Sequence, residues 1–439
     1  MSPPGDDART VAHDILVRVE TEDAFADVLL AHRLSAAALA TSDRGLATEL
    51  VYGTLVWQGR LDHHLRQLLH DPLDRLDPPV RAALRLGLFQ LFFLDRVPAY
   101  AAVDRSVRLA GRRAGGLVNA VLRRAARVGR GGLALPDRGD PVDRLAVEWS
   151  HPRWLVEQWV DELGLDEATA LLEADTRAPR VALRVNPART TRDALRATLA
   201  AAGVQTEPGI ATESALLVAG NAGGLRELPA YRDGLFSFQG EASQLVAALV
   251  DVPPTARVLD VCAAPGGKTL AIAERLSPGH PIVAFDRNRG GLGRLRSDAA
   301  RLGVAALAVA ADARRSPTAL QFDAVLVDAP CSGLGTLRRH PELKWRRRPE
   351  DVPRLATLQR ELASGVADLV RPGGLLVYAV CTRTRDETTD VIDAFRAAHP
   401  RFAVEPLAVP YMDADGFLRT APHMHGLDGF FAARLRART

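Results

Sequence analysis

From about residue 235 onward, apolar runs alternate with helical stretches, and acidic residues close them. The runs cover 257–261, 282–285, 305–310, 324–327 and 375–380. Continuous apolar runs of this kind fit strands buried on both faces, as in a parallel sheet covered by helices. Asp260, Asp286, Asp312 and Asp328 close four of the segments. A doubly wound sheet binds ligands at the carboxyl ends of its strands. Carboxylates there can accept hydrogen bonds from ribose hydroxyls and base amines. The pattern constrains residues 233–439 to an α/β doubly wound, Rossmann-like domain.

The remainder of the 439 residues is long enough for one or two further domains. Residues 8–128 read as helices. Val11, Ile15, Leu16 and Val19 recur at helical spacing, as do Leu84, Leu88, Leu91 and Phe92. Pro78-Pro79 and Pro98 mark helix starts or turns. A Gly- and Pro-rich linker over 129–145 follows, then a small α+β segment over 146–232 with a candidate strand at 181–186 and a candidate helix at 191–202. The chain is expected to be multidomain: all-α, then α+β, then doubly wound α/β.

No apolar run reaches membrane-span length, and the first residues lack a basic end followed by an apolar core. A cytoplasmic protein is expected. The net charge of +3 is undiagnostic, but its distribution is not. Arg105, Arg108, Arg112, Arg113, Arg123, Arg124, Arg127 and Arg130 occur with no acid among them, and a second cluster holds Arg338, Arg339, Lys344, Arg346, Arg347 and Arg348. Such clusters fit either a polyanion partner or solvated helix faces in an Arg-rich chain.

The three cysteines and the only two lysines fall within the second cluster and three short motifs. Cys262-Ala263-Ala264-Pro265-Gly266-Gly267-Lys268 follows the first run, Cys331 stands in Asp328-Ala329-Pro330-Cys331, and Cys381 follows Tyr378-Ala379-Val380. The wide cysteine spacing matches neither a disulfide framework nor a zinc site, so no metal is expected. The turn at 262–268 lets a backbone approach a ligand closely. It lacks the glycine of a phosphate-binding loop and the G-x-G-x-x-G of a dinucleotide site. An S-adenosylmethionine site remains, beside an ordinary Gly-rich turn. A lone cysteine at a strand end is usually a small buried hydrophobe. Two of them opening on one crevice favour chemistry.

These motifs resemble the RNA 5-methylcytosine methyltransferases. Arg9 to Leu69, Val97-Pro98-Ala99-Tyr100 and Gly116-Leu117-Val118-Asn119 resemble the NusB-like RNA-binding domain. That domain precedes the methyltransferase in the Sun/RsmB family, which modifies small-subunit (16S) ribosomal RNA. The resemblance implies S-adenosyl-L-methionine as cofactor, held by Cys262, Ala263, Ala264, Pro265, Gly266, Gly267 and Lys268. Asp286 would take the ribose, Asp312 the adenine side, and Asp328 the region near the sulfonium and target base. It further implies Cys381 as nucleophile, Cys331 as the residue assisting product release, and RNA contacts at Arg184, Asn186, Arg338, Lys344, Trp345 and Arg346. Trp345 reads equally as an aromatic anchoring a loop. Val380, Thr382, Thr388 and Gly240 depart from the family's common residues. A monomer is expected.

The chemistry agrees with these roles. Carbon 5 of cytosine becomes nucleophilic only after a thiolate adds at carbon 6; then the carbon-5 proton and the thiol must leave. DNA cytosine methyltransferases use the thiol of a Pro-Cys pair, which here is Cys331, so the second thiol favours RNA and Cys381. Alternatives are methylation of tRNA and a non-enzymatic NusB-like RNA-binding or antitermination factor.

Overall fold

The computed structural model describes residues 7–36, 39–131, 133–136, 139–220, 223–315, 317–407 and 409–439. They form two compact units, Met1–Ala178 with Leu337–Arg347, and Pro179–Thr336 with Arg348–Thr439.

The first unit is helical, with no strand among its described residues. Asp7 caps the first helix, Ala8–Thr21, by accepting from Thr10 N–H. Proline begins the helix Pro78–Phe93, where its missing N–H costs nothing, and Pro98 precedes the helix Ala99–Leu109. Ile15, Leu50, Leu61, Leu65, Leu84 and Leu86 are fully buried in one core. The Arg-rich stretch begins in the helix Ala99–Leu109 and fills the helix Gly111–Val128, which buries Val118, Val121, Leu122 and Ala125 and leaves its arginines outside that core. The break between units at Ala178 falls inside the expected α+β segment, so the helices Arg153–Leu163 and Leu165–Asp175 belong with the helical unit.

The second unit opens with a four-stranded antiparallel sheet: β1 (Ala182–Val185), β2 (Thr206–Pro208), β3 (Ala215–Val218) and β4 (Phe236–Phe238), ordered β2-β3-β1-β4. Its fourth strand lies beyond residue 232. The helix Arg192–Ala201 packs on it, capped by Thr191.

The main sheet comprises β5 (Val258–Val261), β6 (Ile282–Asp286), β7 (Ala306–Ala310), β8 (Phe322–Asp328), β9 (Val370–Val380), β10 (Phe402–Val404), β11 (Leu418–Arg419) and β12 (Phe431–Ala437). The order is β10-β12-β9-β8-β5-β6-β7, with β11 on β12. Strands β5 to β9 pair in parallel, while β12 is antiparallel to β9 and β10. From β5 the chain builds outward through β6 and β7, then returns to place β8 on the other side. That reversal opens a crevice at the carboxyl ends of β5 and β8. The sequence pattern did not show β12, because arginines interrupt its apolar run. Arg434 is buried there and pairs with Glu405 at 2.5 Å.

Candidate active site

The turn after β5 is held tightly. Cys262 has φ +61°, uncommon for a side-chain-bearing residue. Gly266 has φ +113°, and a Cβ there would come within 2.8 Å of Leu295 Cγ, so only glycine fits. The Asp286 carboxylate accepts from Ala264 N–H (2.9 Å) and Asn288 N–H (2.6 Å), which ties the turn to the end of β6. Asp260 is buried and accepts from the Thr269 hydroxyl at 2.5 Å. Burial pushes its pKa up to about 8, and its Oδ1 has no partner. Asp312, just past β7, is bound by Arg314, whose hydrogen bonds hold it down to about 2.

Four carboxylates, Asp260, Asp286, Asp312 and Asp328, thus end consecutive strands around the turn. Oxygens at this rim suit ribose hydroxyls and an amino group, while Asp312 and Asp328 are each paired with a cation and Asp260 has its pKa raised to about 8, so the rim carries little net negative charge.

The two strand-end thiols meet. Cys331 Sγ and Cys381 Sγ are 3.2 Å apart as free thiols, and Cys381 N–H donates to Cys331 Sγ at 3.3 Å. The hydrogen bond from the Cys331 thiol lowers the Cys381 pKa against the opposing effect of burial, and Lys268 adds to the lowering. Cys331 is pushed well up by the same bond, then by burial and by the charge on Cys381. The pair thus favours proton loss at Cys381 over Cys331. Lys268 Nζ bonds Asp328 at 2.7 Å, and that partner outweighs burial to keep the lysine charged. Cys262 is raised by burial and by the surrounding carboxylates, an environment for an inert thiol.

Sequence reasoning missed the group that holds these thiols in register. Glu387 is fully buried and accepts from Ser332 N–H (2.8 Å), Ser332 Oγ (2.5 Å), Gln359 Nε2 (2.9 Å) and Thr384 Oγ1 (3.0 Å). Gln359 also donates to Pro330 O, and the Tyr378 hydroxyl donates to Glu387 O at 2.7 Å. The residues flanking Cys331 on both sides are thereby fixed against the loop that follows Cys381. Gly335 N–H donates to Cys381 O, and a Cβ at Gly335 would fall 1.9 Å from Gly429 O. Of the departures, Val380 is buried in the strand, Thr382 accepts from Ser332 Oγ at 3.0 Å, Thr388 donates to Thr384 O, and the helix after Gly240 starts without a side-chain cap.

Most residues expected at RNA are engaged internally. Arg184 is buried, paired bidentately with Glu274 (3.0 and 2.7 Å), and it donates to Gln239 and to Gly267 O (2.9 Å). It braces the turn at 262–268 rather than the surface. Asn186, also buried, spans Gly234 O and Leu302 O. In the helical unit, Lys344 is fully buried and donates to Val56 O and Ser150 O, each at 2.8 Å. Burial lowers its pKa to about 7. Trp345 donates to Leu55 O at 3.2 Å and abuts Gly59, which makes it a loop anchor. Arg346 donates to backbone carbonyls of Val19, Asp23 and Ala24. Arg338 is half-buried in the same segment. Among the described residues, one group has ligand atoms close enough for a metal, Asp27, His340 and Glu342 in the helical unit. There Glu342 accepts from Ala26 N–H at the start of the helix Ala26–Ala36, a capping role.

Residues 247–436 match the family model for the 16S rRNA methyltransferase RsmB/F, residues 6–127 that of the NusB family, and residues 151–222 that of an RsmF/B-like ferredoxin-like domain. The probable ribosomal RNA small subunit methyltransferase B of Bacillus subtilis is 37% identical over 98% of both chains. The chain belongs to the RsmB/F methyltransferase family. The ribosomal RNA small subunit methyltransferase B of Pseudomonas putida is 40% identical over 90% of each. The crystal structure of PH0851 aligns over 99% of each chain with a TM-score of 0.85 and 27% identity. NSun6 from Pyrococcus horikoshii with SFG shares the fold, with a TM-score of 0.60 and 22% identity over 66% of this chain and 98% of that one. Among the described residues, no helix is long and apolar enough to cross a membrane.

Proposed function

We propose that the protein uses S-adenosylmethionine to form 5-methylcytosine in small-subunit ribosomal RNA, through a covalent bond from Cys381 to carbon 6 of the base. The observation that carries this reading is the Cys331–Cys381 thiol pair, 3.2 Å apart at adjacent strand ends beside the Lys268–Asp328 ion pair. The relatives named for ribosomal RNA small subunit methyltransferase B support the substrate.

The cofactor fits this oxygen-lined rim. The turn 262–268 would hold its methionine part, Asp286 its ribose and Asp312 the adenine side, while Asp260, whose Oδ1 has no partner, offers a further hydrogen-bonding group beside the turn. Bound there, S-adenosylmethionine supplies an electrophilic methyl group.

The remaining work belongs to the side chains. The target base leaves its stack to reach the crevice. Cys381, a thiolate aided by the Cys331 S–H, adds to carbon 6 and makes carbon 5 nucleophilic. Asp328, paired with the charged Lys268, would meet the base edge at N3. After carbon 5 has been methylated, its proton passes to water, the electron pair of that C–H bond re-forms the double bond to carbon 6, and the bond from carbon 6 to sulfur breaks to return Cys381 as thiolate. Cys331 assists that release.

The test is to incubate the protein with S-adenosylmethionine and unmodified small-subunit RNA or tRNA, then map cytosines by bisulfite. A single protected cytosine in the small-subunit RNA is expected. Protection in tRNA alone would move the substrate, and protection in neither would favour a non-enzymatic RNA-binding role.

A further inference from the structure

A cavity of about 270 Å³ is lined by Thr382 and Arg383, the two residues that follow Cys381, together with residues between 411 and 431. Asp286 and Asp312 end β6 and β7, the thiols follow β8 and β9, and the cavity begins at Thr382 and Arg383, which continue from β9 toward β11 and β12. Cofactor turn, thiols and cavity follow one another along the edge of the sheet, and Phe430 of the lining meets Lys268 with the ammonium 5.1 Å from the ring centroid.

Its lining is matched to a planar base carrying a phosphate. Tyr411 and His425 meet edge to face with centroids 5.1 Å apart. His425 Nδ1 accepts from Ala421 N–H at 3.0 Å, which fixes the ring and leaves the proton on Nε2. Tyr411 is held at φ +70°, a strained conformation of the kind found at ligand clamps. Two of the chain's three methionines, Met412 and Met424, line the same space, and Met424 is 63% exposed at the rim. Thioethers adapt to varied flat surfaces. The one carboxylate in the lining, Asp413, is spent on Arg419 at 2.5 Å and on the turn that follows it. Arg383 and Arg419 are the two guanidinium groups among the lining residues. Aromatic rings with an adjacent guanidinium are how proteins hold unstacked bases of single-stranded nucleic acid.

We propose that this cavity is a nucleotide subsite that takes the base adjacent to the target cytosine in the RNA strand, stacked on Tyr411 and His425 with its phosphate toward Arg383. The inference rests on the RNA-methyltransferase reading above. It makes the enzyme sensitive to a second nucleotide.

The test crosses two proteins with three RNAs. Wild type and Tyr411→Ala are assayed in single turnover on the intact RNA fragment and on fragments abasic at the nucleotide immediately 5′ or 3′ of the target. A base-stacking contact is worth roughly 5- to 100-fold. Wild type is expected to lose that factor on one of the two abasic RNAs. Tyr411→Ala should lose the same factor on intact RNA and lose nothing further on that abasic RNA. His425→Gln should behave alike, and unchanged S-adenosylmethionine binding reports that each variant is folded. Losses that multiply independently, or a wild type indifferent to both abasic sites, would overturn the subsite while leaving methylation intact. A wild type that methylates none of the RNAs would overturn the enzymatic reading and the subsite with it.

Discussion

Glu387 offers the most exposed test of how the site is built. Its carboxylate accepts four hydrogen bonds in a fully buried position. In Glu387→Ala, the Ser332 hydroxyl can turn to Thr382 Oγ1, 3.0 Å away, and Gln359 keeps Pro330 O. Ser332 N–H and the Thr384 hydroxyl lose the carboxylate that accepts from them. Two lost charge-assisted bonds at about 1–3 kcal/mol each, plus the vacated volume, predict a loss of about 3–6 kcal/mol. Glu387→Gln is gentler. Its amide oxygen replaces Oε1 for Ser332 N–H and Gln359, and its NH₂ faces two hydroxyls able to rotate and accept. Exchanging charge-assisted for neutral bonds predicts about 1–2 kcal/mol. Thermal melting should fall by about 2–4 °C per kcal/mol. Because Pro330 and Ser332 flank Cys331, Glu387→Gln should also slow single-turnover methylation at least tenfold while S-adenosylmethionine still binds. The rate of iodoacetamide reaction at Cys381, followed against pH, should move to higher pH as its donor drifts. A Glu387→Ala protein that melts within a degree of wild type, or a Glu387→Gln protein with wild-type turnover and alkylation profile, would refute the argument.

Two further predictions concern pH. Lys344 has its pKa lowered from 10.5 to about 7 by burial, so the unfolded chain binds the extra proton between those values and stability should rise with pH there. Relative to Lys344→Met, wild type should gain up to about 1.4 kcal/mol per pH unit between pH 7 and 9 in urea unfolding, and parallel curves would contradict the assignment. Asp260 is the opposite case: raised from 3.8 to about 8, it favours the fold while protonated and loses that contribution as pH rises through 8. Asp260→Asn should remove part of the stability loss between pH 5 and 8 and be at least as stable as wild type at pH 8; an unchanged slope would count against it.

The parts of the site carried by single strands were legible in the chain. The apolar runs located β5, β6, β7, β8 and β9, and their closing acids and thiols mark one rim because parallel strands all end on the same side. Pro78, Pro79 and Pro98, legible as helix starts or turns, prove to be helix starts in the first unit. What stayed hidden depends on partners distant in sequence. Ser332, Gln359, Tyr378, Thr384 and Glu387 are ordinary polar residues until the fold closes them into one network. Arg184 looks like an exposed cation on a short strand, yet all four residues of β1 are buried, and Glu274 lies 90 positions away. Lys344 and Trp345 sit among arginines that suggest a phosphate surface, whereas their own bonds run to backbone carbonyls of a core. The nucleotide cavity draws its aromatics from a stretch with no repeating pattern, around residues 411–431.

The central claim is the division of labour between the two thiols. Each protein, wild type, Cys331→Ala and Cys381→Ala, is incubated with S-adenosylmethionine and small-subunit RNA and run on a denaturing gel. With Cys381 as nucleophile and Cys331 assisting release, Cys331→Ala accumulates an RNA–protein adduct that survives denaturation, and Cys381→Ala forms none. An adduct that persists in Cys381→Ala and vanishes in Cys331→Ala would contradict the account.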